Sequence, residues 1–294
     1  MVQVTAEYAA SMVPARKPDA HKGELGHLLV VAGSVGFTGA AHLTCEGALR
    51  SGVGLVTLGV PRSLNAVMEV KTTEAMTLPL PETDAQSISP DAVEAINAFQ
   101  ERATAVAVGP GLSTHPDTAE AVRSLLPALT VPMVVDADGL NALAQHVELV
   151  AELRAEAVLT PHPGEMSRLT GMPTSEIQAN REKVALNHAQ EWGCTVVLKG
   201  AGTVVASPAG DVAVNTTGNS GLASGGSGDV LTGLIGGLLA QRLDPWSAAT
   251  LGVYVHGSAG DIAAETLTPQ GMTALDVVYA LPAAWRMLLE EDQG

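Results

Sequence analysis

The run Leu28-Leu-Val-Val-Ala32, the helical pattern over Ala40–Arg50 and the second apolar run Gly54-Leu-Val-Thr-Leu-Gly-Val60 decide the fold class. Both apolar runs are short, rich in Val and Leu, and flanked by glycine, which favours buried strands over helices. Parallel strands that helices cover on both faces have such near-continuous apolar sequences, and a helix connects one strand to the next. The three segments therefore predict a strand–helix–strand unit in a mostly parallel sheet.

The same alternation continues along the chain. Further strands are predicted at Ala103–Val108, Met133–Asp136, Ala157–Thr160 and Thr195–Lys199, and further helices at Arg62–Val70, from about Gly139, and at Pro163–Thr170, Ser175–Trp192, Asp229–Gln241, Pro245–Glu265 and Ala274–Glu290. Because no linker or repeat interrupts the pattern, we expect one α/β domain over residues 1–294, with residues 1–20 as an N-terminal extension.

Two segments depart from the alternation. Thr203–Ser207 and Asp211–Asn215 flank the turn Pro208-Ala-Gly210, which predicts a β-hairpin at the edge of the sheet. Leu78–Ser89 has the composition of a surface loop. The expected architecture is a central, mostly parallel sheet with helices on both faces and a β-hairpin edge in the C-terminal part of the chain.

Composition and charge argue against several classes of partner. Hydrophobic residues make up 46% of the 294 residues, as in a globular protein with a large core. The net charge is −16, from 15 basic and 31 acidic residues without a Lys/Arg cluster, so we expect neither nucleic acid nor an acidic membrane surface as partner. The sequence has two cysteines without metal-site spacing, no apolar signal segment and no apolar run that could cross a bilayer of ~30 Å. These features predict a cytoplasmic protein.

The glycine-rich run Gly218-Asn-Ser-Gly-Leu-Ala-Ser-Gly-Gly-Ser-Gly-Asp229 leads directly into the apolar helix pattern Val230–Ala240. Glycines let backbone N–H groups approach a ligand, and the unpaired amides and dipole of a helix N-terminus favour an anion. We expect Gly225, Gly226, Ser227 and Gly228 to form an anion hole. The competing interpretation is a surface loop in which Asp229 only complements the helix dipole.

Asp229 stands where a bound phosphate would lie. A carboxylate beside phosphate is electrostatically costly, but a general base that deprotonates an attacking hydroxyl must be placed there. The spacing matches neither common nucleotide fingerprint, because no Gly-Lys-Ser/Thr follows the glycines and Gly33-Ser-Val-Gly36-Phe-Thr-Gly39 is only loosely similar to a dinucleotide-binding loop. Asp229 is therefore the candidate catalytic residue.

Polar or small residues also follow four predicted strands, and the carboxyl ends of parallel strands form ligand sites. Lys199-Gly-Ala-Gly-Thr203 could bind a phosphate and an adenosine or could be an ordinary hairpin entry. His162, between two prolines, could be a site residue or a turn residue. Asp136 or Asp138 could bind Mg²⁺ or substrate, with a helix cap at Asp138 as the alternative. Gly109-Pro-Gly111 has the pattern of a close-approach turn.

Seven segments in one order carry a resemblance to a known family. They are His21-Lys-Gly-Glu-Leu-Gly26, Gly33-Ser-Val-Gly-Phe-Thr-Gly-Ala-Ala41, Gly109-Pro-Gly-Leu112, Asp136-Ala-Asp-Gly-Leu-Asn141, Thr160-Pro-His-Pro-Gly-Glu165, Lys199-Gly-Ala-Gly-Thr203 and Asn219–Asp229. Together they resemble the ADP-dependent NAD(P)H-hydrate dehydratases, whose fold is ribokinase-like. The resemblance extends over nearly the whole chain from His21 onward.

The resemblance implies a repair enzyme that removes water added across a nicotinamide-ring double bond of NADH or NADPH. ADP would phosphorylate the ring hydroxyl and release AMP, and phosphate would then leave more readily than hydroxide. Asp229 matches the family's base. The adenine nucleotide would be bound by Lys199, Gly200, Ala201, Gly202, Thr203 and Gly228, and the hydrated dinucleotide would contact Ala40, Gly111, His162 and Asp229.

The resemblance also implies Mg²⁺ bridging the ADP phosphates, without an assigned protein ligand, and a homotetramer. Small departures occur, because Ser220 stands where Pro is expected and Ser224 and Ser227 where Thr is common, although serine keeps the hydroxyl. Many members carry an N-terminal epimerase domain for which this chain has no room at its start. We therefore expect a stand-alone dehydratase, or a piece of a longer protein, with an epimerase acting on the same substrate.

Two other functions are compatible with the fold and the glycine-rich loop. A ribokinase-like kinase that acts on a vitamin-precursor alcohol would use the same base. A nucleotide sensor without catalysis would not need Asp229. Thr160–Glu165 and His21–Gly26 are the segments that favour the dehydratase over the kinase.

Overall fold

A ten-stranded sheet runs through the computed structural model, which describes residues 1–291 of the chain. The strands are β1 (Val2–Val4), β2 (His27–Val31), β3 (Leu55–Pro61), β4 (Met76–Leu80), β5 (Ala105–Val108), β6 (Met133–Val135), β7 (Ala157–Leu159), β8 (Thr195–Leu198), β9 (Thr203–Ala206) and β10 (Val212–Asn215). Their order is β1-β10-β9-β8-β7-β6-β5-β2-β3-β4, and only the pairings of β9 are antiparallel. The predicted mixed sheet is confirmed.

Helices cover both faces of this sheet. They are α1 (Ala6–Ala10), α2 (Thr38–Leu49), α3 (Asn65–Lys71), α4 (Ala92–Gln100), α5 (Pro116–Leu125), α6 (Asp138–Leu143), α7 (Pro163–Thr170), α8 (Thr174–Ala179), α9 (Arg181–Trp192), α10 (Ser227–Ala240), α11 (Pro245–Gly271) and α12 (Ala274–Glu291). Within the described residues no helix is both long and apolar enough to cross a membrane.

Alternate residues of the central strands enter two separate cores. In β2, Leu28 and Val30 lie in the core formed with α2, α10, α11 and α12. Leu29 and Val31 lie in the opposite core, formed with α4, α5, α7 and α9. This burial on both faces explains why the strands are apolar runs without the polar–apolar alternation of a half-exposed sheet.

The structure differs from the sequence-based expectation at several places, and it contains two helices, α4 and α5, that the sequence pattern did not predict. The hairpin β9–β10 forms, but β1 pairs with β10 on its outer side, so the first residues of the expected extension complete the sheet. Part of the expected loop at Leu78–Ser89 is strand, because β4 ends at Leu80. The long helix expected over Ser175–Trp192 is divided at Asn180, whose φ of −137° is not helical.

The helix α10 is buried from Val230 to Ala240 and packs against α2. Glycine permits this approach, because a Cβ at Gly233 would overlap the carbonyl oxygen of Thr44 and lie 2.8 Å from the backbone nitrogen of Ala48. The two helices can thus pack backbone to backbone at this point. The position of the N-terminus of α10 over the sheet depends on this contact.

We predict that Gly233→Ala lowers the free energy of unfolding by ~2 kcal/mol or more, because the added methyl group must push α2 and α10 apart. Urea unfolding followed by circular dichroism measures the change. Gly39→Ala in α2 is the matched control, because a Cβ there meets nothing within 4 Å; its effect should stay within ~1 kcal/mol and favour the folded state. Equal destabilisation by both variants would contradict the packing argument.

Candidate active site

The carboxyl ends of the parallel strands meet the N-terminus of α10. Gly109-Pro-Gly111 follows β5, Asp136 follows β6, His162 comes after β7 and Lys199 follows β8. A Cβ at Gly228, in the first turn of α10, would lie 3.5 Å from the Lys199 ammonium and 3.7 Å from Oδ2 of Asp136. The structure therefore joins the glycine-rich loop to the strand ends.

The glycine-rich loop becomes helical at Ser227. Gly226 precedes the helix with a φ of 94°, and within the described residues no side chain caps α10. The N–H of Ser227 donates to the carbonyl of Ser224 at 3.4 Å, so the N–H groups of Gly228 and Asp229 are the ones left to an anion, and the helix dipole adds to their attraction. Ser227 is buried and Gly225 is exposed, so the expected anion hole has one closed side and one side open to solvent.

The electrostatics of Asp229 are those of a general base. Burial raises its pKa, the neighbouring carboxylate of Asp136 raises it further and the Lys199 ammonium opposes both, which brings the pKa to about 7. Asp138 and Glu165 contribute in the same direction as Asp136. A carboxyl group with this pKa can accept and return a proton near neutral pH.

A buried ion pair lies behind Asp229. Lys199 Nζ donates to Oδ1 of Asp136 at 2.5 Å and lies 3.7 Å from Oε2 of Glu165. Thr232 Oγ1, one helical turn after Asp229, donates to Oδ2 of Asp136 at 2.7 Å. Burial by itself lowers the pKa of Lys199, but Asp136 and Glu165 outweigh it and raise the pKa above its ordinary value. Lys199 is thus a fixed positive charge at the site.

His162 caps the helix α7 and lies after β7, at the edge of the sheet where the other candidate site residues lie. Its Nδ1 accepts the N–H of Gly164 at 2.9 Å, while Oε2 of Glu165 accepts the N–H of His162 at 2.7 Å, which completes a capping box on α7. Burial lowers the pKa of His162, with Lys199 reinforcing and Glu165 opposing the effect. The neutral ring therefore carries its proton on Nε2, which lies 3.5 Å from Oε1 of Glu165, and the side chain of His162 is half-exposed.

Lys199 to Thr203 form the turn between β8 and β9. Thr203 Oγ1 donates to the carbonyl of Gly200 at 2.9 Å, and Ala201 at the tip is exposed. Arg181 supports this turn from α9, because its guanidinium donates to the carbonyls of Leu198 at 2.7 Å and Gly202 at 3.3 Å. Sequence reasoning missed Arg181, since nothing in the pattern of α9 links it to a turn some twenty residues later.

The other expected substrate residues lie on the β2–β5 side of the site. A Cβ at Gly111 would lie 3.0 Å from Cβ of Ala40 and 2.8 Å from Cβ of Phe37, so the three residues are in contact. Ser34 Oγ donates to the carbonyl of Gly111 at 2.8 Å and joins the Gly33 loop to the turn after β5. Phe37 is exposed, which leaves its ring available to a ligand.

Asp136 and Asp138 have different partners. Asp138 is the first residue of α6 and does not act as its N-cap; Oδ2 accepts the N–H of Ser113 at 2.9 Å and Oδ1 accepts Nδ2 of Asn141 at 3.0 Å. Arg168 Nε then donates to Oδ1 of Asn141 at 2.9 Å. Asp136 is bound to Lys199 and Thr232. Sequence reasoning missed Thr232, because a single threonine in an apolar helix pattern gives no sign that its hydroxyl reaches Asp136.

The sequence of this chain is similar to the sequences of known proteins. The sequence profile described as NAD(P)H-hydrate dehydratase matches residues 28–283. The chain belongs to the NAD(P)H-hydrate dehydratase family. It is 47% identical over 288 residues to the bifunctional NAD(P)H-hydrate repair enzyme of Moorella thermoacetica, covering 98% of this chain but only 54% of that protein. The chain thus spans about half the length of that curated relative.

Members of the family of similar length also match. The chain is 35% identical to the ADP-dependent (S)-NAD(P)H-hydrate dehydratase of Bacillus subtilis, covering 96% of this chain and 97% of that protein. The crystal structure of the ADP/ATP-dependent NAD(P)H-hydrate dehydratase of Bacillus subtilis, co-crystallised with ATP and Mg²⁺, superposes with a TM-score of 0.85 at 33% identity over 98% of both chains. The ribokinase-like fold of the family is confirmed.

The raised pKa of Asp229 predicts a pH-dependent effect on stability. Because its pKa is about 7 in the folded chain against an ordinary value of 3.8, folding favours the protonated carboxyl group, and the stability it contributes is lost as the pH rises through about 7. Asp229→Asn should therefore stabilise the fold relative to the parent by an amount that grows between pH 4 and pH 8.

Urea unfolding at pH 5 and pH 8 measures this difference. Asp91→Asn, at an exposed position before α4, is the control and should show no such growth. A stability gain of Asp229→Asn that is the same at both pH values would contradict the environment assigned to Asp229.

Proposed function

We propose that this protein dehydrates NAD(P)H hydrate at the expense of ADP, regenerating NAD(P)H with release of AMP and phosphate. The observation that carries the proposal is Asp229, a carboxylate with a pKa of about 7 in the first turn of the uncapped helix α10. Such a group suits proton removal from an alcohol beside a bound phosphate. The Bacillus subtilis relative, of nearly the same length as this chain, is named for ADP-dependent dehydration of the hydrate.

The first chemical step is phosphoryl transfer. Asp229 takes the proton of the hydroxyl group on the hydrated nicotinamide ring as that oxygen attacks the β-phosphorus of ADP. The bond between this phosphorus and the bridging oxygen breaks, and AMP leaves with the electron pair. Backbone N–H groups of Gly225, Gly226, Ser227 and Gly228 stabilise the charge on the transferring group, and Lys199 supplies a nearby cation.

The second step is elimination. The carbon–oxygen bond of the phosphate ester breaks, phosphate leaves with the electron pair, and the adjacent ring carbon loses a proton, which restores the double bond. Phosphate is a far better leaving group than hydroxide, so consumption of ADP is the reason that the ring can lose its oxygen readily. Asp229 returns its proton to solvent before the next turnover.

The two ligands occupy opposite sides of Asp229 in this proposal. The adenine nucleotide lies along Lys199, Gly200, Ala201, Gly202 and Thr203 and reaches Gly228. The hydrated dinucleotide contacts Ala40, Gly111, His162 and Asp229. Support comes from the position of Lys199 to Thr203 at the β8–β9 turn and of Gly111 and His162 after β5 and β7, with Ala40 in α2 and Gly228 and Asp229 in α10.

Mg²⁺ is the proposed cofactor. Within the described residues no group of three or more His, Cys, Asp or Glu side chains is arranged to hold a metal, and Asp136 and Glu165 already face Lys199. This donor set fits Mg²⁺ bound chiefly by phosphate oxygens and water, the coordination that Mg²⁺ favours with nucleotides. The ion would neutralise phosphate charge close to four carboxylates, and it accompanies ATP in the Bacillus subtilis crystal structure.

The domain organisation, the compartment, the oligomeric state and the partner enzyme complete the proposal. We propose that the chain acts as one domain in the cytoplasm, as a homotetramer, and alongside an epimerase acting on the same substrate. The bifunctional name of the Moorella thermoacetica relative, which is nearly twice as long as the matched region, supports the last point. A ribokinase-like kinase that acts on a vitamin-precursor alcohol is the second candidate function, since its phosphoryl transfer would use the same base, Asp229.

The decisive assay mixes the protein with NADH hydrate, Mg²⁺ and either ADP or ATP and follows the absorbance of regenerated NADH. We expect NADH to form with ADP and AMP to accumulate in equal amount. No reaction with either nucleotide would refute the dehydratase, and phosphorylation of a vitamin-precursor alcohol in a parallel assay would then favour the kinase.

Asp229→Asn should lower kcat by ~100-fold or more, because a neutral amide cannot accept the proton of the attacking hydroxyl. Nucleotide binding, measured by titration calorimetry, should stay within a few-fold of the parent because the N–H groups of the loop are unchanged. Near-normal turnover by this variant would show that another group is the base.

His162→Ala should raise KM for the hydrate by ~10-fold. His162→Asn separates the two roles of this residue, because asparagine is a good N-cap for α7 but lacks the imidazole Nε2. We expect His162→Asn to retain the stability of the parent in urea and yet raise KM as alanine does. An unchanged KM in the asparagine variant would make His162 a capping residue only.

A further inference from the structure

The glycine-rich loop is held from outside the site, by the helix α11. Between the end of β10 at Asn215 and the start of α10 at Ser227, the regular structure is a single short 3-10 turn over Ser220–Leu222. The conformation of this segment therefore depends on contacts with neighbouring elements. Hydrogen bonds to α11 occur near both of its ends.

The start of the loop is bound to the carboxylate of Asp261. Its Oδ2 accepts the backbone N–H of Gly218 at 2.7 Å, and its Oδ1 accepts Nδ2 of Asn219 at 3.0 Å. The same Nδ2 also donates to the carbonyl of Gly260 at 2.9 Å, and Oδ1 of Asn219 accepts the N–H of Gly221 at 2.9 Å. One carboxylate on α11 thus fixes the first turn of the loop through a backbone amide and a side chain.

The end of the loop is bound to His256, about one and a half helical turns before Asp261. Nε2 of His256 lies 3.0 Å from the carbonyl oxygen of Ser227 and 3.3 Å from its hydroxyl. A carbonyl oxygen can only accept, so Nε2 carries the proton. Burial lowers the pKa of His256 to about 4, so the ring is neutral and the donor is permanent at neutral pH. Ser227 is the residue before Gly228 in the expected anion hole.

The surface of α11 between these two side chains has no room for a larger residue. A Cβ at Gly257 would overlap Oγ1 of Thr217 and lie 2.8 Å from the carbonyl carbon of Thr217. The same hydroxyl of Thr217 donates to the carbonyl of Tyr254 at 3.1 Å. The backbone of the loop therefore lies directly on the backbone of the helix, and the register of the loop is set by α11.

We propose that Asp261 and His256 are positioning residues, which hold the two ends of the glycine-rich loop so that the N–H groups of Gly225 to Gly228 converge on the transferring phosphoryl group. Neither residue touches a reacting atom in this proposal. The proposal rests on the proposed function for the identity of the ligand. Whether α11 holds the loop in place through these hydrogen bonds can be measured without that function.

The test compares Asp261→Ala and His256→Phe with Ala263→Gly. Asp261→Ala removes the acceptor for Gly218 and Asn219, and His256→Phe removes the donor to Ser227 while keeping an aromatic ring in the buried position. Ala263, a buried residue of α11 two positions beyond Asp261, is the matched control, because glycine there weakens the same helix by propensity without removing a bond to the loop.

Two readouts distinguish positioning from stability alone. Asp261→Ala and His256→Phe are called the clamp variants. In both, hydrogen–deuterium exchange of the backbone amides of residues 218–228 should accelerate ~10-fold or more. In Ala263→Gly these amides should not exchange faster than in the parent, even if the urea midpoint of this variant is as low as that of the clamp variants. In the dehydration assay, Asp261→Ala and His256→Phe should each raise KM for ADP and lower kcat by ~10-fold, the scale of one lost hydrogen bond, with KM for the hydrate within about twofold of the parent.

The outcomes separate the two proposals. Unchanged exchange in both clamp variants overturns the clamp, whatever the protein catalyses. Faster exchange with unchanged kcat and unchanged KM for ADP overturns its role in positioning the phosphoryl group. If the parent protein fails to form NADH, the proposed function is overturned, and the exchange experiment still decides whether α11 holds the loop. Rescue of both readouts by Asp261→Glu would strengthen the assignment.

Discussion

The close contact between α10 and its neighbours is the constraint on which the site depends. Helix α10 lies in the middle of one layer, buried from Val230 to Ala240, and Gly233 lets it approach the backbone of α2. A helix in that position has its N-terminus fixed over the carboxyl ends of β5, β6 and β8. Because the axis of α10 cannot shift without breaking this packing, the direction of its first N–H groups is set by the hydrophobic core, far from any ligand.

The charges around Asp229 shift its pKa in opposite directions, and the balance between them determines how basic its carboxylate is. A helix N-terminus stabilises a carboxylate, which by itself would keep Asp229 ionised and weakly basic. Burial and the nearby Asp136 act in the other direction and prevail, so its pKa is about 7. Lys199 cannot cancel the effect, since its ammonium group is shared between Asp136 and Glu165. The buried ion pair thus keeps a cation available to phosphate while leaving Asp229 with enough basicity to act on a hydroxyl.

The sequence could predict those parts of the fold and site that leave a local pattern. Apolar runs identified the central strands, and the glycine-rich run before an apolar helix identified the anion site with Asp229. Other parts could not be predicted, because their partners are distant in sequence. Three residues are not enough to identify β1, which pairs with a strand about 210 residues later. Arg181 and Thr232 look like ordinary helix residues until the fold brings them to Gly202 and Asp136. The interpretation of Asp138 as a helix cap is equally reasonable from the sequence, and the structure shows instead that its carboxylate accepts hydrogen bonds from Ser113 and Asn141.

The proposed reaction requires a base that both takes and returns a proton in every cycle. A carboxylate with an ordinary pKa of 3.8 would return the proton easily but would be a weak acceptor for the proton of an alcohol. A much stronger base would remain protonated at neutral pH and would not begin the next cycle. The pKa of about 7 at Asp229 lies between these limits. The environment of one carboxylate therefore accounts for the basicity that this chemistry needs.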